Sequence, residues 1–126
     1  MKYLKTYEGH ILNLLTSDQL DTIRDILLDL SDDGFSALIN NKPSGRGYYY
    51  ITIDRPVKNF EYSEVEEVVD RLKNYIGDRI LSILVFAITN KPNRYRLSTQ
   101  EWINLDDFKN SKIHDSELKG VSIRLK

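Results

Sequence analysis

Two segments of the chain show the same order of signals: a capped amphipathic helix, a glycine and then an apolar, β-rich stretch. The first helix is predicted over Ser17–Asp33, after a Thr-x-x-Gln capping box, and Gly34 ends it. The second helix is predicted to start at Ser63, which opens a Ser-x-x-Glu capping box, and to end at Gly77. Because each helix needs a sheet to cover its apolar side, the predicted class is α+β.

Hydrophobic residues in both helices recur at helical spacing, so that each helix has one face to bury. In the first helix these are Leu20, Ile23, Leu27 and Leu30, and in the second Val65, Val68, Val69, Leu72 and Ile76. The acidic residues fall on the other faces of the helices, where water can solvate them. We therefore expect both helices to pack on the same face of the sheet and to expose acidic outer sides.

Five stretches have the composition of β-strands: Phe35–Asn40, Tyr48–Asp54, Ile80–Thr89, Tyr95–Ser98 and Val121–Leu125. The Ile80–Thr89 stretch is almost uninterrupted by polar residues, which is typical of a strand covered on both faces, and we place it at the centre of the sheet. In Tyr48–Asp54, alternate residues should face the core, so that Tyr49, Ile51 and Ile53 share one face and Tyr48, Tyr50 and Thr52 the other.

The predicted order of elements is α-β-β-α-β-β-(α)-β, in which the bracketed short helix follows Ser98–Glu101 and carries Trp102. The strand, helix and strand from Tyr48 to Thr89 form a β-α-β unit, so we expect a mixed sheet in which these two strands run parallel. Asn-Lys-Pro turns at similar places also allow an internal αββ repeat. Residues 1–126 are predicted to form a single domain, with residues 1–15 as an arm or short helix.

Composition narrows the classes of protein that this chain can belong to. It has 126 residues, no cysteine and a formal net charge of −1, so disulfides, thiol chemistry and a strong global field towards nucleic acid are not expected. Ile83–Ile88 is the longest apolar run and is far too short to span a bilayer. The N-terminus lacks the long apolar region of a secretory signal. We expect a cytoplasmic protein that is not bound to membranes.

No motif for catalysis or cofactor binding is present: the chain has no P-loop, no dinucleotide-binding glycine pattern, no nucleophile elbow and no zinc-protease helix. The two histidines, His10 and His114, lie far apart in sequence, and a metal site needs three or four ligands that converge. The carboxylates are mostly consecutive along helices. We therefore predict no catalytic residue, metal or cofactor, although an enzyme whose site forms no motif remains an alternative.

Basic residues and tyrosines collect instead in the predicted hairpin connections and strand ends. Tyr and Arg are frequent in protein-binding hot spots, and aromatic side chains beside basic residues also stack and hold single-stranded nucleic acid. The sequence therefore predicts a binding surface for a protein, with single-stranded nucleic acid as the alternative. An exposed acidic stripe on the helices would instead favour mimicry of DNA. The predicted binding residues are Arg46, Tyr48, Tyr50, Arg94, Tyr95 and Arg96.

Four segments resemble a class of small accessory proteins of tailed bacteriophages. They are the start Met1–Glu8, the helix end Asp25–Phe35, the strand Ile51–Ile53 and the closing stretch Val121–Lys126. The resemblance implies a non-enzymatic protein that acts in the host cytoplasm on a host macromolecule, for example as an inhibitor of a host defence or a host enzyme. A minor virion component or an internal head protein is the alternative that the same resemblance implies.

Overall fold

A computed structural model describes residues 15–40, 49–89, 99–111 and 117–126. The described residues contain three helices, five strands and two single 3-10 turns, and they confirm the α+β class. The helices are α1 (Ser17–Ser31), α2 (Glu66–Ile76) and α3 (Leu105–Lys109); the strands are β1 (Ser36–Ile39), β2 (Tyr49–Asp54), β3 (Ile80–Thr89), β4 (Thr99–Asn104) and β5 (Leu118–Leu125); the 3-10 turns are Tyr62–Glu64 and Gly77–Arg79.

α1 starts at Ser17, as its sequence predicts, and ends at Ser31, two residues before the predicted Asp33. The backbone N–H of Gln19 donates to the Thr16 hydroxyl at 3.1 Å, and the backbone N–H of Thr16 donates to the Gln19 side chain at 2.8 Å, which completes the capping box. Gly34 has φ +83°, in the left-handed region that a residue without a Cβ adopts at least cost. The chain therefore turns sharply from α1 into β1.

The predicted start of the second helix is wrong by three residues. Ser63 lies in the 3-10 turn, and α2 begins only at Glu66, without a side-chain cap. The backbone N–H of Glu61 donates to the Glu64 carboxylate at 2.9 Å, so the side chain that caps the turn is not that of Ser63. Tyr62, the first residue of this turn, is buried in the core, so the turn packs against the core ahead of α2.

The five strands form one sheet in the order β1-β2-β5-β3-β4, and every pair of neighbours is antiparallel. The expected mixed sheet is therefore wrong, although β2 and β3 do run in the same direction. They do not pair, because β5 returns from the end of the chain and lies between them. The sequence predicted β3 as the central strand, but the central strand is β5.

A further correction concerns Trp102, which was expected on a short helix. Thr99–Asn104 is strand β4, and its residues pair with β3, Trp102 opposite Phe86. The short helix α3 follows directly, and the Asn104 side chain accepts a hydrogen bond from the Asp106 backbone N–H at 3.0 Å. The predicted strand Tyr95–Ser98 lies outside the described residues. The residue that caps the helix is therefore Asn104, six residues after Ser98, the first residue of the predicted capping pattern.

The core lies between the helices and one face of the sheet. Across its middle, Ile51 pairs with Ile123 and Ile123 with Ile83, and these side chains are almost completely buried. They form one continuous cluster with the buried residues of α1, α2 and α3, so the described helices pack on the same face of the sheet. None of the helices among the described residues is both long and apolar enough to cross a bilayer.

The internal αββ repeat stays a prediction. Each of the two main helices is followed by an antiparallel pair of strands, β1–β2 after α1 and β3–β4 after α2. The first strand lies at the sheet edge in one pair and inside the sheet in the other. The two units therefore occupy different positions relative to β5.

Arg55 connects three elements at the end of β2. Its Nε and Nη2 donate to the Asp33 carbonyl at 3.2 and 2.6 Å, next to the negative end of the α1 dipole. Its Nη1 donates to Glu64 at 3.1 Å, and the guanidinium lies 4.5 Å from the centre of the Phe35 ring. The Glu61 backbone N–H and the Arg55 guanidinium hold the pKa of Glu64 below its usual value. This lowered pKa contributes stability at neutral pH that is lost as Glu64 is protonated in acid.

Replacing Arg55 by Lys is expected to lower the free energy of unfolding by about 1–2 kcal/mol, because a single ammonium cannot make these forked contacts. Urea denaturation followed by circular dichroism measures the change. The matched control is Arg24→Lys, since Arg24 is half exposed and lies 3.6 Å from Asp21 on the same helix. Equal stability losses in the two variants would show that Arg55 does not link the elements as described.

Candidate functional site: the open face of the sheet

The side of the sheet opposite the core carries a second set of aligned side chains, which we call the open face. The register places them in rows across the strands, and the described helices all lie on the other side. Most are half-buried or exposed. The open face comprises Ser36 and Leu38 of β1, Tyr50, Thr52 and Asp54 of β2, Gly120, Ser122 and Arg124 of β5, Ser82, Leu84, Phe86 and Ile88 of β3, and Trp102 and Asn104 of β4.

An aromatic pair occupies the β3–β4 side of the open face. The rings of Phe86 and Trp102 stack with their centres 4.9 Å apart and their planes at 12°. Trp102 remains 52% exposed despite this contact, and it is the only tryptophan in the chain. Leu84 and Ile88 flank Phe86 on the same strand face and are half-buried. The pair is therefore a preformed apolar platform that keeps contact with water.

Tyr50 points away from the core, as predicted, and lies across β5 from the Phe86–Trp102 pair. The buried neighbours Tyr49, Ile51 and Ile53 point into the core, so the predicted alternation of this strand is confirmed. Tyr50 is half-buried, and the Arg124 guanidinium lies 5.8 Å from the centre of its ring, within the range of a cation–π contact. Trp102 does not cover Tyr50, because β5 and β3 lie between their strands.

The charge of the open face is balanced in the part of the chain that the structure describes. Among the residues that the register pairs on this face, Arg124 is basic and Asp54 is acidic, and the exposed Lys119 lies at the β5 bulge next to Gly120. Two cations near opposite ends of β5 are fewer than a groove that tracks a phosphate backbone requires. The described part of the open face is thus mainly aromatic and aliphatic, with polar residues between.

Of the six predicted binding residues, only Tyr50 lies in the described part of the chain. Arg46, Tyr48, Arg94, Tyr95 and Arg96 lie outside it, so their role as binding residues stays a prediction. The described residues that flank 41–48 are at the end of the sheet where β5 finishes, and those that flank 90–98 are at the end where β5 starts. The start and end of β3 mark these two ends, about 30 Å apart by strand rise.

Sequence reasoning missed Phe86 and Trp102 as surface residues. The apolar run of β3 was interpreted as a strand buried on both faces, but only Ile83, Val85 and Ala87 lie in the core. A strand that is apolar on both sides can be buried on both or left uncovered on one. The difference lies in what packs on the strand, and its own residues do not encode that.

Tyr62, which lies away from the open face, has a polar side chain in an unusual environment. It is 6% exposed, its hydroxyl has no hydrogen-bond partner among the residues that the structure describes, and the Lys109 ammonium lies 5.1 Å from the centre of its ring. Burial raises the pKa of Tyr62 above its usual value, and the nearby carboxylates of Asp70, Glu66 and Asp106 raise it further. The phenol therefore stays protonated at neutral pH and is not poised to act as a base.

Replacing Tyr62 by Phe is expected to leave the free energy of unfolding unchanged or to raise it by up to about 1 kcal/mol, because a buried hydroxyl without a partner costs desolvation energy. Thermal denaturation compared with the parent protein tests this. A loss of more than about 1 kcal/mol would mean that the hydroxyl has a polar partner after all.

The outer sides of the helices carry the acidic residues that the sequence placed there. Asp18, Asp21, Asp25 and Asp29 are all exposed along α1. Basic side chains interrupt this stripe, because Arg71 of α2 forms an ion pair with Asp29 and Arg24 lies near Asp21. Mimicry of DNA by the helix layer therefore stays an alternative prediction.

Comparisons of the chain with protein-family models, with curated proteins and with solved structures give no match. Within the described residues, no three His, Cys, Asp or Glu side chains come together as a group that could hold a metal ion. The geometry of the open face is therefore the main evidence on function.

Proposed function

We propose that this chain is a small, non-enzymatic binding protein that uses the open face of its sheet to bind another protein. The observation that carries the proposal is the half-exposed Phe86–Trp102 stack on a sheet side that the described helices leave uncovered. Tryptophan, tyrosine and arginine are the residues most enriched in binding hot spots, and the open face presents one of each in Trp102, Tyr50 and Arg124.

A protein partner fits the open face better than single-stranded nucleic acid does. Stacked bases would use Trp102 and Tyr50, but phosphates need several cations along the same track. The described open face offers Arg124 and also the acidic Asp54. A protein surface with apolar side chains at its centre and polar groups at its rim matches this mixture.

The proposed place of action is the cytoplasm, and the proposed partner is a host protein. Both follow from the resemblance of Met1–Glu8 and Asp25–Phe35 to small phage accessory proteins. Blocking a host defence protein or a host enzyme needs affinity and a rigid surface but no catalytic residue. A rigid sheet with aromatic anchors suits such blocking, since little side-chain entropy is lost on binding.

The experiment is affinity capture from host lysate with the tagged protein and with two variants, Trp102→Ala and Val57→Ala. Val57 is 89% exposed in the turn after β2, so its variant is the matched control for removing surface apolar area away from the open face. Each lysate is divided, and one half is treated with nuclease. We expect a specific partner that the parent protein and Val57→Ala retain, that survives nuclease treatment and that Trp102→Ala loses.

The other outcomes discriminate between the alternatives. Loss of all specific partners after nuclease treatment, together with direct binding of an oligonucleotide that Trp102→Ala abolishes, would replace the protein partner by nucleic acid. A partner that Trp102→Ala retains as well as the parent does would move the binding site away from the open face. If a partner survives nuclease treatment but is lost when the acidic residues of α1 are replaced by basic ones, mimicry of DNA would be supported.

A further inference from the structure

The edge of β1 that faces away from β2 adjoins α1 and forms a groove of about 390 Å³. β1 is the first strand in the sheet order, so only β2 pairs with it among the described strands. We call this the edge groove, and it is separate from the Phe86–Trp102 platform at the far side of the sheet. Its lining includes Arg24, Leu28 and Ser31 of α1 and Ala37, Leu38 and Ile39 of β1.

The hydrogen-bond register of β1 leaves backbone groups directed at the edge groove. The Asn40 N–H donates to the Tyr50 carbonyl at 2.9 Å, so Asn40 and Tyr50 are a hydrogen-bonded pair. Such pairs alternate along an antiparallel ladder, so Leu38 also bonds to β2, whereas the N–H and C=O of Ala37 and Ile39 point away from it. The sequence Ser-Ala-Leu-Ile of β1 has no charge or proline that would discourage pairing with a further strand.

Two leucines on either side of this edge are unusually exposed. Leu28 on α1 is 64% exposed and Leu38 on β1 is 65% exposed. Leu28 lies on the helix side of the sheet and Leu38 on the open face. Successive side chains of an added strand point to opposite faces. An apolar residue on one face would contact Leu38, and the aliphatic stem of a Lys or Arg on the other face would cover Leu28.

The α1 border of the edge groove is acidic, although the cation Arg24 lies in its lining. Asp21 and Asp25 of α1 and Asp32 at its C-cap are spaced three or four residues apart from one another or from Leu28, so they lie on the same side, and all three are exposed. The one basic residue of α1, Arg24, lies 3.6 Å from Asp21 and is partly neutralised by it. An apolar strip with outward backbone groups and an acidic border is complementary to an extended chain that is both apolar and basic.

We propose that the edge groove binds an extended segment of a partner protein, in which apolar residues alternate with Lys or Arg, and that this segment adds to β1 as a sixth strand. Backbone hydrogen bonds to Ala37 and Ile39 would hold it, and its cations would face Asp25 and Asp32. A second copy of this chain fits less well. Antiparallel pairing of two β1 strands would bring the acidic sides of two α1 helices together, where they repel.

The test uses a fluorescent heptapeptide of alternating lysine and valine and a matched peptide with glutamate in place of lysine. Anisotropy titration measures binding of each peptide to the full chain, and NMR locates the bound peptide. We expect the lysine peptide to bind and to shift the amides of Ala37 and Ile39 most. We expect its affinity to fall about tenfold when salt is raised to 1 M, because the cations and acids are screened. The glutamate peptide should not bind.

Two variants separate the contributions. Ala37→Pro removes an outward N–H that β2 does not use. We expect it to weaken binding of the lysine peptide about tenfold, which corresponds to the loss of one backbone hydrogen bond. Asp25→Lys combined with Asp32→Lys keeps the backbone edge and should abolish binding through charge. Trp102→Ala should leave peptide binding unchanged, so failure at the open face and failure at the edge groove are distinguishable.

Several results would overturn the proposal. These are no binding of the lysine peptide at millimolar concentration, equal binding of both peptides, unchanged binding by both variants, or amide shifts that map elsewhere. Self-association that depends on concentration and that Ala37→Pro abolishes would show that the occupant of the edge groove is a second copy.

Discussion

Replacing Ile123 by Ala is expected to lower the free energy of unfolding by about 2–5 kcal/mol, a large share of the about 5–15 kcal/mol that holds a domain of this size together. Ile123 is fully buried in the central strand, between Ile51 and Ile83. Because β5 joins the two halves of the sheet, the cavity left by the truncation weakens packing on both sides. Equilibrium denaturation in urea measures the loss.

The control for this prediction is the adjacent residue on the other side of the same strand. Ser122 is half-buried on the open face, so Ser122→Ala should change stability by no more than about 0.5 kcal/mol. If Ile123→Ala cost no more than Ser122→Ala, β5 would not be the central strand that joins the halves of the core.

Replacing Trp102 by Ala is expected to weaken binding of the protein partner by about 2 kcal/mol, or about thirtyfold in Kd, since tryptophan anchors at interface centres lose that much on truncation. The stack with Phe86 holds the indole in place before binding, so its side-chain entropy is already lost in the free protein. Isothermal titration calorimetry with the purified partner measures the change.

Trp102→Phe and Val57→Ala are the controls for this loss. Phenylalanine can still stack on Phe86, so Trp102→Phe should recover part of the affinity, and Val57→Ala should bind like the parent protein. Circular dichroism of each variant checks that the sheet is intact. Parent-like affinity of a folded Trp102→Ala variant would contradict binding through the open face.

The α+β class, the start of α1 and the alternation of β2 could be predicted, because local signals determine them. The Thr16 capping box, Gly34 and the alternation of Tyr49, Ile51 and Ile53 each depend on residues close in sequence. The sheet order could not be predicted in the same way. The insertion of β5 between β2 and β3 depends on contacts between residues 31 to 76 positions apart, from Ala87 with Leu118 to Tyr49 with Leu125, and no local pattern encodes which strand takes the place between them.

The candidate site was only partly predictable for a related reason. Tyr50 could be assigned to the open face because period-two alternation fixes its side. Phe86 could not, because its strand is apolar on both sides and only the tertiary structure shows which side the helices cover. Trp102 was misplaced because the Ser-x-x-Glu pattern before it resembles a helix cap, whereas pairing with β3 keeps the segment extended.

The fluorescence of Trp102 gives the most direct test of binding through the open face, since it is the only tryptophan in the chain and is half exposed. Acrylamide quenching is compared between the free protein and its complex with a captured partner, in which the partner's tryptophans are replaced by phenylalanine. If the open face binds the partner, quenching falls severalfold and the emission shifts to the blue, because the indole leaves water. Equal quenching and unchanged emission in the saturated complex would contradict the account.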